Sequence, residues 1–122
     1  MKIWKYSGIF LIITGIIHTA VAILLGKDSY TEMIKGGLYN SVNDDFTRGF
    51  AFWFFICGLL VMMLGYLAHI FIRETGKPLP AFLGYFLLVA SIIGCIIEPV
   101  SGFWLFLPQA LIIIIAARKR AN

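Results

Sequence analysis

The stretch Glu98-Pro99-Val100-Ser101-Gly102-Phe103-Trp104-Leu105-Phe106-Leu107-Pro108-Gln109 decides how this chain is read. It ends one long apolar run on a carboxylate, turns through Pro, Ser and Gly, and opens a second apolar run that carries an amide. Carboxylates and amides are costly at membrane depth and usually face a bundle interior or a wet cavity. A short turn between two such runs brings them back antiparallel. These features describe a small polytopic membrane protein.

Composition agrees. Of the 122 residues, 61% are hydrophobic and 13% charged, against roughly 45–50% and about 25% in a soluble domain. The mean hydropathy is +0.94. The net charge of +4 does not point to nucleic acid, because the basic residues sit at the ends of apolar runs, where the positive-inside rule expects them. Cys57 and Cys95 lie far apart inside apolar runs and form no CxxC pair. They read as small buried hydrophobes.

Lys2 and Lys5 precede an uncharged run that is long enough for a first span, residues 6–26. Ala20-Val21-Ala22 resembles a signal-peptide cleavage motif, but Ile23-Leu24-Leu25 continue the apolar run, so a retained helix is expected. In the polar connection that follows, Ser29-Tyr30-Thr31-Glu32 matches a capping box and Gly36-Gly37 a stop. Together they predict a short helix lying on the membrane surface. Asn43, Asp44 and Asp45 offer N-caps for the next helix. The second span covers residues 48–72, the third 80–98 and the fourth 103–117, where Arg118-Lys119-Arg120 stops it.

Lys2, Lys5, Arg73, Lys77, Arg118, Lys119 and Arg120 collect on one side, whereas the other holds Lys27, Lys35 and Arg48 mixed with Asp28, Glu32, Asp44 and Asp45. Both termini are therefore expected in the cytoplasm. The expected fold is all-α: an antiparallel four-helix transmembrane bundle, one domain over residues 1–122, with the interfacial helix in the first extracytoplasmic connection.

At about 1.5 Å rise per residue, His18, Trp53, Glu98 and Gln109 all fall in the outer half of that bundle, with Arg48 at its rim. Thr14, His18 and Ala22 share one helical face, as do Ser91, Cys95 and Glu98. His18 could lock the bundle through a neighbouring carbonyl or Glu98, or could serve a ligand or proton. Glu98 could pair with Arg48, or lie partly desolvated with its pKa raised. Gln109 could be interhelical glue, and Pro108 a kink that frees a carbonyl beside it. Trp53 and Trp104 fit an aromatic belt or the wall of a pocket.

His18 and His69 differ by about 20 Å in depth, too far for a bis-histidine haem, and no neighbourhood holds enough His or Cys for zinc. No phosphate-cradling loop, GxSxG or HExxH is present. No cofactor or metal is expected.

The chain also resembles a family of small bacterial four-helix membrane proteins of uncharacterised function. The likeness runs through Gly15-Ile16-Ile17-His18-Thr19, Leu38-Tyr39-Asn40-Ser41-Val42 and Arg48-Gly49-Phe50-Ala51-Phe52-Trp53-Phe54. It continues in Lys77-Pro78-Leu79-Pro80, Leu83-Gly84, Pro99-Val100-Ser101-Gly102-Phe103-Trp104-Leu105 and Pro108-Gln109-Ala110-Leu111. The resemblance implies the fold and a bacterial inner-membrane location, and no activity.

The leading functional expectation is a non-enzymatic protein whose outer-half pocket binds a small apolar or amphipathic molecule. His18, Glu98 and Gln109 would orient the ligand, Trp53 and Trp104 would wall it, Arg48 with Asn40 would lid it, and Ser101 completes the set. Rival readings are a lipid-modifying enzyme with a His/Glu acid–base pair, a small exporter, and a structural subunit. Besides lipid, a second copy of the chain is a candidate partner.

Overall fold

The computed structural model describes residues 2–122, and every regular element among them is helical. A 3-10 turn, Ile3–Tyr6, leads into α1 (Ser7–Leu25), and α2 (Lys27–Lys35) follows after Gly26 alone. Then come α3 (Phe46–Thr75), α4 (Ala81–Ile97), a second 3-10 turn at Gly102–Leu105, and α5 (Phe106–Ala121). Three helical segments, Ile3–Leu25, Phe46–Thr75 and Gly102–Ala121, are long and apolar enough to cross a membrane. The fourth, Ala81–Ile97, is apolar and 17 residues long. Leu24, Phe86 and Ile97 are each more than 70% exposed. Leaving such side chains in water forgoes about 1.5–3 kcal/mol apiece, so hydrocarbon suits this surface.

The helix boundaries follow local chemistry. Asp45, one of the expected caps, accepts from the Arg48 backbone N–H at 3.1 Å and starts α3. Gly76, in the left-handed region at φ +64°, ends it. The expected capping box at Ser29 does not form. The Tyr30 N–H already donates to the Gly26 carbonyl at 2.9 Å, so Ser29 lies within the first turn of α2. Glu32 instead turns to Arg48. Pro108 is the third residue of α5, in the first turn, where a missing N–H costs least.

The closest packing is between α1 and α3. A Cβ placed on Gly65 would lie 2.6 Å from the Ile12 nitrogen and 2.8 Å from the Gly8 oxygen. One on Gly15 would lie 2.8 Å from the Met62 nitrogen. Small residues let backbones approach this closely, and in lipid such packing is a main source of helix association. The α4–α5 hairpin repeats the device more loosely, with a Gly84 Cβ only 2.6 Å from Ile114 Cγ1. The two pairs meet mainly along α1 and α5.

Both ends of the chain and the 76–80 connection lie at one end of the molecule, here the terminal end. The turn after α4 lies at the other, the turn end. Leu11, Ala68, Ile72, Leu79 and Ile113 form a buried cluster toward the terminal end. The turn end has no comparable cluster among the described residues.

Gly65→Ala should lower stability in detergent by about 1–3 kcal/mol through overpacking. Gly49→Ala meets only Val42 Cγ1 at 3.6 Å, so it should be neutral or stabilising by up to about 1 kcal/mol. Chemical unfolding of the purified variants checks both, and equal effects would discount the seam.

Candidate functional site

At the turn end, α1, α3 and the α4–α5 connection leave a cavity of about 200 Å³. His18 lines it from α1 and Glu98 and Ser101 from the α4–α5 connection, and Phe54, Phe103 and Leu105 give it apolar walls.

His18 faces α3 because the Gly58 opposite has no side chain; a Cβ there would meet Thr19 and the His18 ring. The imidazole stacks on Phe54 with centroids 4.2 Å apart and 12° between planes, and its Nε2 lies 3.0 Å from the Phe54 carbonyl oxygen. A carbonyl only accepts, so Nε2 carries the hydrogen, and a neutral ring then presents Nδ1 as an acceptor. Of the two locking partners expected for His18, a neighbouring carbonyl rather than Glu98 is the one the geometry realises. Among the described residues, no hydrogen bond occupies Nδ1.

Glu98 ends α4, donating its N–H to the Gly94 oxygen at 2.8 Å, and its side chain is exposed. The expected pairing with Arg48 is absent. Arg48 Nη2 donates to Glu32 at 3.1 Å and Nη1 to the Ser41 oxygen at 3.0 Å. The cause is α2, which folds back over the start of α3 and brings a carboxylate to Arg48 first. Ser101 Oγ accepts from the Phe103 N–H at 3.4 Å and caps the second 3-10 turn. The Phe103 ring then lies on Gly94, where no Cβ keeps it out of the cavity.

Gln109 is buried, 7% exposed, and stands behind the cavity rather than in its wall. Its Nε2 donates to Thr14 Oγ1 at 2.7 Å and to the Leu105 oxygen at 3.0 Å. Thr14 Oγ1 in turn donates to the Phe10 oxygen at 2.8 Å. The Leu105 carbonyl can only accept, which determines the end of the amide that faces it. Oε1 is left buried without a partner. Gln109 is thus the glue of the two helix pairs, acting through Thr14, which does line the cavity.

The other expected residues lie elsewhere. Trp53 and Trp104 are 62% and 55% exposed and do not wall the cavity. Trp104 Nε1 donates to the Pro99 oxygen at 2.8 Å, which pins it to the turn. Asn40, at φ +49°, is exposed on a separate apolar groove of about 680 Å³ between α2 and α3. Arg48 and Asn40 therefore do not lid the cavity. Tyr30 in that groove donates to the Ala51 oxygen at 2.6 Å, and burial pushes its phenol up from the usual tyrosine range.

Phe54 and Phe103, rather than the expected Trp53 and Trp104, supply the aromatic walls. Their signal was small residues on the same or a facing helix: Ala51 and Gly58 mark the side of α3 turned toward α1, and Phe54 falls on it.

No curated protein and no solved structure matches the chain. A family model described as a family of unknown function (DUF6463) matches residues 2–120, and the chain belongs to that family.

Proposed function

We propose that this is a four-span protein of a bacterial inner membrane, with both termini cytoplasmic, whose cavity binds a small amphipathic molecule from the outer leaflet or the periplasm. The convergence of His18, Glu98 and Ser101 on one space walled by Phe54 and Phe103 carries this reading. Ligand sites are mostly apolar with a few convergent polar groups, and bundle interiors are a common place for them. An apolar cavity of about 150 Å³ already admits benzene. One of about 200 Å³ therefore suits a single ring or a short chain end.

The polar groups constrain the ligand's other end. His18 Nδ1 is an acceptor in the neutral ring, and Glu98 at the mouth is an acceptor with no cation of the described residues within ion-pair reach. A hydroxyl, an amine or an ammonium matches them, with the apolar remainder lying against the phenyl rings. We favour binding over acid–base catalysis because the free His18 Nδ1 and the exposed Glu98 carboxylate are both acceptors, which suits holding one donor group.

The four-span topology rests on the 17 apolar residues of α4 and the highly exposed Phe86, Ile96 and Ile97 along it. That length lies at the short end of the spanning range, about 17–25 residues. The basic residues at the terminal end orient the whole.

Native mass spectrometry of gently extracted protein should find a small molecule retained, and compounds bearing a ring and a hydroxyl or amine should raise its melting temperature. Glu98→Gln should leave the unliganded melting temperature unchanged and weaken that shift about tenfold in ligand concentration, as expected for one lost charged hydrogen bond of about 1.5 kcal/mol. No retained molecule and no shift across a lipid and quinone panel would defeat the reading.

Topology has its own test. An impermeant maleimide should label Asn40→Cys and Val100→Cys in cells whose outer membrane alone is opened, and Lys77→Cys only after lysis. Val100→Cys silent until lysis, like Lys77→Cys, while Asn40→Cys labels, would mean that α4 does not cross.

A further inference from the structure

The terminal end carries a second site of opposite character. Lys2, Lys119 and Arg120 line a cleft of about 570 Å³ floored by Trp4, Ile115 and Ala116. None of these cations has a carboxylate within ion-pair distance, since Arg48–Glu32 is the only such pair among the described residues. Arg118, at the same end, is engaged elsewhere: its Nε donates to the Tyr85 hydroxyl at 3.1 Å. Ile3 and Ile112 line this cleft and also a groove of about 290 Å³ that continues along α1 and α5 past Phe10, Ile13 and Leu105. From Ile112 to Leu105 the helix rises about 10 Å. Along that length the groove is apolar, because the Gln109 amide is turned onto Thr14 with Oε1 buried.

Cations at a mouth and an apolar trough leading from it match one molecule with an anionic head and a hydrocarbon tail. We propose that the cleft and groove bind an anionic phospholipid, its phosphate on Lys2, Lys119 and Arg120 and one acyl chain along the α1–α5 seam. Arginine offers phosphate a two-pronged contact and lysine a point charge. Basic pockets between membrane helices favour anionic head groups. A zwitterionic head group brings its own cation into the same cluster and is disfavoured. Orienting the protein in a membrane requires basic residues at this end; it does not require three of them around one cleft. The proposal is independent of the ligand cavity at the turn end.

The test is native mass spectrometry of the full chain from micelles holding equal amounts of phosphatidylglycerol and phosphatidylcholine. Phosphatidylglycerol should be retained preferentially. Each basic residue near a membrane surface contributes about a fivefold preference, so Lys2→Gln, Lys119→Gln and Arg120→Gln together should abolish it. Lys5→Gln, at the same end but outside the cleft, should leave it intact. Ile112→Trp keeps every charge and fills the trough, and it too should reduce retention, while glycerol phosphate alone should fail to displace the lipid. Equal retention of the two lipids would overturn the site, as would a triple variant that behaves like the parent or a Lys5→Gln effect as large as its own. Full retention by Ile112→Trp, or displacement by glycerol phosphate, would reduce it to a surface charge patch and overturn the acyl groove. Should the triple variant fail to fold by circular dichroism, the lipid competition and Ile112→Trp decide alone.

Discussion

The α1–α3 contact is the constraint on which the other features rest. Lipid tails are as apolar as leucine, so two membrane helices gain little from hiding apolar surface from each other, and close packing must hold them. Gly8, Gly15, Gly58 and Gly65 permit it by letting backbone meet backbone. Every other placement inherits that spacing. His18 can reach the Phe54 carbonyl at 3.0 Å only because the helices are this close. Tyr30 can tie α2 to Ala51 only because α3 stands beside the end of α1.

From that seam the molecule is built unevenly along its length. Near the terminal end, large apolar side chains from α1, α3, α5 and the 76–80 connection interlock around Leu11 and Ile113, which are essentially fully buried. Toward the turn end, the closing elements are a stacked imidazole, a short turn and one phenyl ring laid on Gly94. Fewer bulky side chains meet there, and a cavity is what remains. Polar groups collect at that end for a compatible reason: a carboxylate or hydroxyl is less costly near the interface than at the bilayer centre.

How far the sequence foretold this differs by level. The helices, the Asp45 cap, the Gly36 and Gly76 stops and the shared depth of His18 and Glu98 could be read in advance, since each rests on local chemistry or helical rise. The faces of the helices were harder. A helix that is apolar toward both its neighbours and lipid has no hydrophobic face to betray its orientation. Only small and polar residues mark the inside. In α1 they did so, with Gly15, Thr14 and His18 together. In α3 the bulk of Trp53 drew attention, yet Trp53 lies one residue, about 100°, around from Phe54 and points outward. The partners of Arg48 were illegible for another reason. Whether it meets Glu32 or Glu98 depends on how α2 folds over α3, and no local signal encodes that path.

Thr14 and Gln109 stand where these two halves meet. Thr14 lines the turn-end cavity and, with Gln109, the α1–α5 groove, so their 2.7 Å hydrogen bond lies between the two spaces, beside Ile17 and Leu105, which line both. It also helps hold the helix pairs together where they touch. An apolar residue of matching size at either position would close the partition without a polar atom. Using an amide here leaves an acceptor buried and unpaired, a cost of about 1–3 kcal/mol, which packing alone does not explain. The arrangement makes sense if both spaces matter. A hydrogen-bonded pair fixes the register of α1 against α5, and with it the positions of His18 above the bond and of Ile3 and Ile112 below it. Shape on both sides is then set by one directional contact rather than by interchangeable apolar surfaces.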